Sequence, residues 1–251
     1  MIGNDISILQ QLHFFSIMEK ALLYENLKKY FGYESFRSGQ EEIISNIIDK
    51  KDVLGVLPTG GGKSICYQLP ALLMDGLTLV ISPLISLMKD QVDSLVENGI
   101  SASFINSSQS FEEYKKTLDH VKAGKVKILY ISPERLENAY FIDFLKDLKV
   151  SLIAVDEAHC ISQWGHDFRP SYKLIPEIYQ FLPDIPKAAF TATATKEVRE
   201  DIINNLDLEK PFVKVTGFDR ENLTFLVEKP KDKIKFLKGY LKDHDDESGI
   251  I

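Results

Sequence analysis

The sequence predicts an α/β fold, a doubly wound and mostly parallel sheet with helices on both faces. Three observations predict it. Seven short apolar runs recur, at residues 53–57, 77–82, 102–105, 127–132, 152–155, 188–191 and 212–215. Most are continuous rather than alternating, as in strands covered on both faces. Helical patterns fill the intervals, and regular strand–helix alternation builds a parallel sheet.

The elements follow in chain order. Ser38-Gly-Gln-Glu41 has the form of a capping box ahead of an apolar stripe of Ile43, Ile44, Ile47 and Ile48. Residues 86–97 carry Leu87, Met88, Val92, Leu95 and Val96 at helical spacing, and Asn98-Gly99 is a stop signal. Residues 196–205 give a further helix. After Gly217-Phe-Asp-Arg220 the pattern changes. Residues 223–227 precede a lysine-rich amphipathic helix over about residues 232–243, with Ile234, Leu237 and Leu241 on one face. Ser248-Gly-Ile-Ile251 has the form of a strand opening. One complete domain plus the start of a second is therefore expected, the alternative being a C-terminal helix with a frayed tail.

Composition narrows the function classes. The 251 residues are 44% apolar and 27% charged, which excludes collagen-like and disordered chains. No run approaches ~18 uninterrupted apolar residues, so no membrane span is expected. The first twelve residues lack a basic stretch followed by an apolar block, the form of a secretory signal. Two cysteines, Cys66 and Cys160, are too few for a disulfide framework, and no Cys/His cluster has zinc spacing. A cytoplasmic setting is expected. The net charge of −7 weighs against nucleic acid as a partner unless positive groups cluster locally.

Two motifs carry chemistry on their own terms. Pro58-Thr-Gly-Gly-Gly-Lys-Ser64 follows a strand and precedes a helix, the context a phosphate-cradling loop requires. Glycines turn backbone N–H groups toward phosphate without Cβ clashes. Thr59, Gly60, Gly61 and Gly62 would form the cradle, Lys63 would meet the β/γ-phosphates, and the Ser64 hydroxyl would ligate Mg²⁺. Leu57 stands where the strict pattern has its first glycine. Val155-Asp-Glu-Ala-His159 ends a buried strand and puts two carboxylates at the ligand-binding edge of the sheet. Asp156 suits Mg²⁺, and Glu157 suits polarisation of the attacking water.

These motifs stand in order with Ile81-Ser-Pro-Leu-Ile-Ser-Leu-Met-Lys-Asp-Gln91, Ser132-Pro-Glu-Arg-Leu136, Cys160-Ile-Ser-Gln-Trp-Gly-His-Asp-Phe-Arg-Pro170 and Phe190-Thr-Ala-Thr-Ala194. The ordered set, from about residue 31 to 222, resembles the first RecA-like, P-loop NTPase domain of a RecQ-family DNA helicase of superfamily 2. The resemblance implies ATP and Mg²⁺ as cofactors and adds His159 to the catalytic set of Lys63, Asp156 and Glu157. Tyr33-Glu-Ser-Phe-Arg-Ser-Gly-Gln40 resembles the family's adenine-recognition motif, with Gln40 on the base edge and Tyr33 and Arg37 stacking. Trp164, His166, Phe168 and Arg169 fall in its aromatic-rich loop, which senses single-stranded DNA. Aromatic faces stack on bases at roughly 1–3 kcal/mol each. Thr191 and Thr193 fall in its coupling motif. Ser82, Ser86, Lys89 and Asn106 become candidates for strand phosphates.

The expected organisation is an N-terminal extension and first helix at 1–22, the ATP-binding domain at 23–219, and a linker with the start of a second RecA-like domain at 220–251. Asp219-Arg220 lies where the family joins the two domains, with Glu221 where a proline is common. The expected function is the motor of a 3′-to-5′ DNA helicase acting on single-stranded or tailed duplex DNA in repair and recombination. Its second domain, which would supply an arginine finger, is a partner that this sequence lacks. Loss of the finger costs about 10³–10⁵ in rate, so this chain alone is expected to turn over ATP very slowly. An RNA remodeller and a non-catalytic nucleotide- or strand-binding module are the alternatives. Oligomeric state and the role of residues 1–17 are not read from the sequence.

Overall fold

The computed structural model describes residues 20–165, 167–182, 184–217, 224, 226–246 and 248–249. Residues 1–17, His166, Asp219-Arg220 and Glu221, named above, lie outside these, as do parts of the 223–227 and 248–251 segments.

In chain order the helix α1 (residues 20–31) leads to α2 (Gln40–Ile48), β1 (Val53–Val56), α3 (Ile65–Leu73), β2 (Leu77–Ile81), α4 (Ile85–Glu97) and β3 (Ala102–Ile105). Then come α5 (Phe111–Lys122), β4 (Ile128–Ile131), α6 (Ala139–Lys146), β5 (Val150–Val155), β6 (Lys187–Thr191), α7 (Lys196–Asn205), β7 (Phe212–Val215) and α8 (Lys233–Asp243). Short 3₁₀ stretches occupy Pro133–Glu137, Ala158–Ile161 and Pro170–Phe181.

The strands lie in the order β3-β4-β2-β5-β6-β1-β7, and each neighbouring pair is parallel. Alternate strand residues serve opposite layers. Leu54, Val56, Leu79, Ile81, Ile153 and Val155 join a core with α6 and α7, through Phe141, Leu145, Val198 and Ile202. Val53, Val80, Leu152, Ala154 and Phe190 join a second core with α2, α3 and α4, through Ile43, Tyr67 and Met88. Burial on both faces is why the runs read as continuously apolar. Leu23 and Leu27 of α1 pack on Ile44 and Leu69.

Buried Asp52 ties the N-terminal edge together. Its carboxylate accepts the N–H groups of Lys187 (2.9 Å) and Glu209 (2.6 Å) and pairs with Lys187 Nζ at 3.1 Å.

One local expectation is corrected. Ser38 does not cap α2: the N-cap is Gly39 at φ +84°, with no side-chain cap. The Glu41 carboxylate instead accepts from Tyr24 Oη at 2.9 Å and pairs with Lys20 Nζ at 3.0 Å, so it joins α1 to α2.

Residues 1–217 and 218–251 form separate compact units. In the second, α8 is capped by the Asp232 carboxylate, which accepts from Lys235 N at 3.0 Å, and none of the helix residues is buried. Among the described residues no helix is long and apolar enough to cross a membrane.

Candidate active site

The sheet order sets β5, β6 and β1 side by side. Their C-terminal ends bring together the phosphate loop, the acidic pair and the Thr191–Thr193 segment. Leu57 N donates to Thr191 O at 3.1 Å, which joins two of these ends directly.

The loop after β1 folds as its glycines require. Gly60 and Gly62 both have φ +78°, a region where L side chains are strained. Gly61 N donates to Pro58 O at 2.8 Å and closes the turn. Ser64 enters the helical conformation at the N-terminus of α3, where unpaired N–H groups and the helix dipole favour an anion. Thr59 and Gly60 are exposed, and Lys63 and Ser64 are half-buried.

The Tyr33–Gln40 segment braces this loop. Gln40 is 2% exposed, and both ends of its amide are engaged. Oε1 accepts Arg37 N–H at 2.8 Å, and Nε2 donates to Gly62 O at 3.0 Å. A Cβ at Gly62 would run into that Nε2. Arg37 Nη1 donates to Gly60 O, and its guanidinium lies 6.0 Å from the Tyr33 ring centre. Tyr33 is exposed. An adenine edge would therefore have to displace Gln40 from backbone partners it already holds.

Asp156 is buried, and its carboxyl pKa is pushed up to about 6. Burial is the main cause. The Glu157 carboxylate adds to it, while the Glu157 N–H, the Lys63 ammonium and the Ser82 hydroxyl pull the other way. The Glu157 N–H donates to Asp156 Oδ1 at 3.0 Å, and Ser82 Oγ donates to Oδ2 at 3.5 Å. Tyr172 Oη donates to the Asp156 carbonyl at 2.8 Å. Glu157 has φ +46° and ψ +45°, an uncommon backbone state for a glutamate and one that recurs at functional sites.

A polar chain leads away from Glu157. His159 Nδ1 lies 3.3 Å from Glu157 Oε2 and 2.9 Å from Thr191 Oγ1. Thr191 Oγ1 donates its one hydrogen to Thr193 O at 3.1 Å, so toward the ring it is an acceptor. Both neighbours accept, which assigns the proton to Nδ1. A cleft of about 370 Å³ is lined by Thr59, Pro83, Leu84, Glu157, His159 and Thr193, among others. A larger one, about 490 Å³, surrounds Asp52, Lys187 and Lys210 at the opposite edge of the sheet, away from these groups.

The aromatic-rich loop begins beside this chain. Trp164 is 80% exposed, so it is not a buried anchor. Phe168 is half-buried, with Lys173 Nζ 5.4 Å from its ring centre. Arg169 is committed within the protein: Nη1 donates to Pro83 O at 3.2 Å, and Nε and Nη2 donate to Asp167 Oδ2 at 3.4 Å.

The strand-contact candidates divide. Ser86 and Lys89 are exposed on α4. Ser82 and Asn106 are 2% and 1% exposed, and their side chains do not present themselves to a strand. Ser82 faces Asp156. Asn106 Oδ1 accepts from Ser108 N (2.9 Å) and Oγ (2.7 Å) and shapes its own loop.

Tyr172 joins the site without any signal in the sequence, since its partner is the Asp156 carbonyl at the end of β5, and Asp167 joins it through Arg169 of its own loop. Buried Tyr67 lies within electrostatic reach of Asp156, and burial pushes its hydroxyl pKa well up.

The donor set suits a nucleotide-borne Mg²⁺. Among the described residues no three His, Cys, Asp or Glu side chains gather to hold a metal by themselves. Mg²⁺ commonly uses one or two protein oxygens plus substrate phosphates. A buried carboxylate within electrostatic reach of Lys63, with Ser64 following that lysine at the N-terminus of α3, fits that pattern.

Comparison with known proteins agrees with this geometry. The DEAD/DEAH box helicase family model matches residues 37–201. The ATP-dependent DNA helicase RecQ of Bacillus subtilis (strain 168) is 53% identical over 227 residues, 90% of this chain and 38% of its own length. The ATP-dependent DNA helicase RecQ of Haemophilus influenzae is 47% identical over 235 residues, 94% of this chain and 38% of its own. The crystal structure of the Pyrococcus furiosus Hef helicase domain superposes with a TM-score of 0.55 at 25% identity, over 71% of this chain and 38% of that one. The chain thus spans about two fifths of the length of the curated relatives it matches.

Proposed function

We propose an activity from this premise: the chain belongs to the DEAD/DEAH box helicase family, and within it to the RecQ group. It is the ATP-binding motor of a DNA helicase, coupling ATP hydrolysis to 3′-to-5′ movement on single-stranded DNA and to unwinding of tailed duplexes. The observation that carries this reading is the continuous polar path from Glu157 through His159 to Thr191 and Thr193, which opens beside the loop bearing exposed Trp164.

Each residue has a task in this reading. The backbone N–H groups of residues 60–64 and the Lys63 ammonium hold the phosphates. Ser64 and Asp156 are placed to hold Mg²⁺, which supplies charge neutralisation at the phosphates when bound. Glu157 orients the attacking water and takes up its proton. His159 shares its Nδ1–H between the Glu157 carboxylate and Thr191 Oγ1, so a shift of the Thr191–Thr193 segment is felt at the base. Tyr33 offers a flat face to adenine, with Arg37 behind it. Trp164 stacks on bases, and Ser86 and Lys89 meet phosphates. A second RecA-like domain completes the closed site, and the cytoplasm is the setting.

The test is nucleotide and strand binding by the chain beside Lys63→Ala, together with ATP turnover with and without single-stranded DNA. Mg²⁺-dependent ATP binding that Lys63→Ala abolishes, with strand binding that Trp164→Ala weakens at unchanged ATP affinity, is the expected result. Equal ATP affinity in Lys63→Ala and the parent chain would refute the nucleotide reading. Retention of full strand affinity in Trp164→Ala would refute the DNA reading. Tighter binding of ribo- than deoxyoligonucleotides would favour an RNA substrate instead.

A further inference from the structure

The loop carrying Trp164 is fixed at its base by a residue 39 positions away. Ser162 is fully buried, and its Oγ makes two bonds at once. It donates to Asp201 Oδ2 at 2.7 Å and accepts the Trp164 backbone N–H at 3.2 Å. At 2.7 Å the first bond has the length of a charge-assisted O–H···O⁻ bond, among the stronger kinds in proteins. The next residue closes the turn: Gly165 N donates to Ser162 O at 3.0 Å. A Cβ at Gly165 would strike the His159 carbonyl oxygen, so the chain passes against the catalytic segment with no room to spare. Beyond the turn, Arg169 N donates to Cys160 O at 2.8 Å. The Trp164 backbone is thereby held from both sides while its ring stands in solvent.

Asp201 lies on α7, the helix that directly follows the Thr191–Thr193 segment. Thr195, the α7 N-cap, accepts from Val198 N at 3.3 Å and stands two residues after Thr193. One rigid element therefore holds the base of the aromatic loop through Asp201 and continues, at its other end, into the segment that bonds His159.

We infer that Asp201 is a positioning residue: through Ser162 it sets the Trp164 backbone so that the exposed ring is pre-arranged for a DNA base, and it ties that ring to α7. The inference rests on the strand-binding reading above. Pre-arrangement lowers the ordering cost of binding. Loss of the anchor leaves the phosphate loop and Asp156 untouched, because neither bonds Asp201 or Ser162.

Trp164 is the chain's single tryptophan, so its fluorescence reports this loop alone. The experiment compares the parent chain with Asp201→Ala, Asp201→Asn and Ser162→Ala. It measures Trp164 anisotropy without DNA, affinity for a fluorescein-labelled oligothymidine, and affinity for a fluorescent ATP analogue. Asp201→Ala is expected to lower Trp164 anisotropy and weaken oligonucleotide binding about tenfold, the scale of one lost charge-assisted hydrogen bond. ATP-analogue affinity stays unchanged. Asp201→Asn, which keeps an acceptor for the Ser162 hydroxyl, recovers most of both effects, and Ser162→Ala repeats the loss with a smaller change in the helix. Unchanged Trp164 anisotropy in both Asp201→Ala and Ser162→Ala overturns the inference. So does an equal fall in ATP-analogue affinity, which marks a merely structural role. Should Trp164→Ala leave oligonucleotide affinity intact, the strand-binding reading fails by itself, and the anisotropy still judges the anchor.

Discussion

Replacing Asp156 by asparagine should stabilise the nucleotide-free chain while disabling it. The carboxyl pKa stands near 6 against a reference of 3.8, raised chiefly by burial. For an acid with a raised folded-state pKa, the favourable contribution is full below the unfolded value of 3.8 and is lost as pH rises through about 6. At pH 7.5 the ionised, buried carboxylate thus costs about 3 kcal/mol, at 1.36 kcal/mol per pK unit. Asparagine carries no charge and keeps the local geometry. Its Oδ1 still accepts the Glu157 N–H, and its Nδ2 donates to Ser82 Oγ in place of the bond that Oδ2 accepted. Subtracting about 1 kcal/mol for burying the amide leaves a gain of about 2 kcal/mol. In a chain of this size that raises Tm by about 4–8 °C. The assay is thermal unfolding of both proteins from pH 4 to 8, with Mg²⁺-ATP binding measured in parallel. The gain should be largest above pH 7, fall by roughly two thirds at pH 5, vanish at about pH 4.5 and turn into a slight loss at pH 4, while Mg²⁺-dependent ATP affinity is lost throughout. A lower Tm for the variant at pH 7.5, or a gain independent of pH, would refute the account of why this carboxyl titrates where it does.

Three further outcomes follow from particular contacts. Gln40→Ala removes both a base-edge amide and the brace on Gly62 O, so affinity for ATP and GTP should fall together, with an additional loss of ATP preference. An equal loss for both nucleotides, in a competition assay, would leave Gln40 as a loop brace only. Glu41 is held below the usual carboxylate range by Lys20 and Tyr24, so it stabilises above about 4.5 and that help disappears as pH falls further. Solvent screening limits it to about 0.5 kcal/mol, and Glu41→Gln should lower Tm slightly at pH 7 but not at pH 3.5. Gly55→Ala places a Cβ 2.8 Å from the Phe190 ring and 3.0 Å from Leu57. It should cost about 1–3 kcal/mol, read as a lower midpoint in urea unfolding.

The parallel sheet was legible because both faces of its central strands are buried, which leaves most strands nearly continuous apolar runs, while Ser103 and Lys214 interrupt the less buried edge strands β3 and β7. The phosphate loop was legible because its glycines, lysine and serine act within one short stretch. What was hidden depends on contacts between distant segments. Ser38-Gly-Gln-Glu41 has the local form of a capping box, but Tyr24 and Lys20 on α1 claim the Glu41 carboxylate, and Gly39 takes the cap in a left-handed conformation. Ser82 and Asn106 read as polar loop residues open to a strand. The packed sheet edge instead encloses them, one against Asp156 and the other within its own turn. Asp201 gave no signal, because on α7 it is one acid among several, and only the fold brings it to Ser162.

The acidic balance of the chain then bears on how a strand is held. Glu157 and Asp167 both line the cleft below the aromatic loop, and carboxylates there repel phosphate. Arg169 spends its guanidinium on Asp167 and the Pro83 carbonyl. In the proposed function a phosphate backbone would then stay out of the cleft and meet Ser86 and Lys89, which are exposed on the same helix as Ile85 and Leu87. On such a surface, affinity comes less from counterion release than from stacking, which needs a ring held at a fixed height. The fixed backbone and free ring of Trp164 supply that, and they do so one short turn from His159, whose imidazole holds the Glu157 carboxylate. In the proposed function, strand and nucleotide are then read by neighbouring residues of one segment.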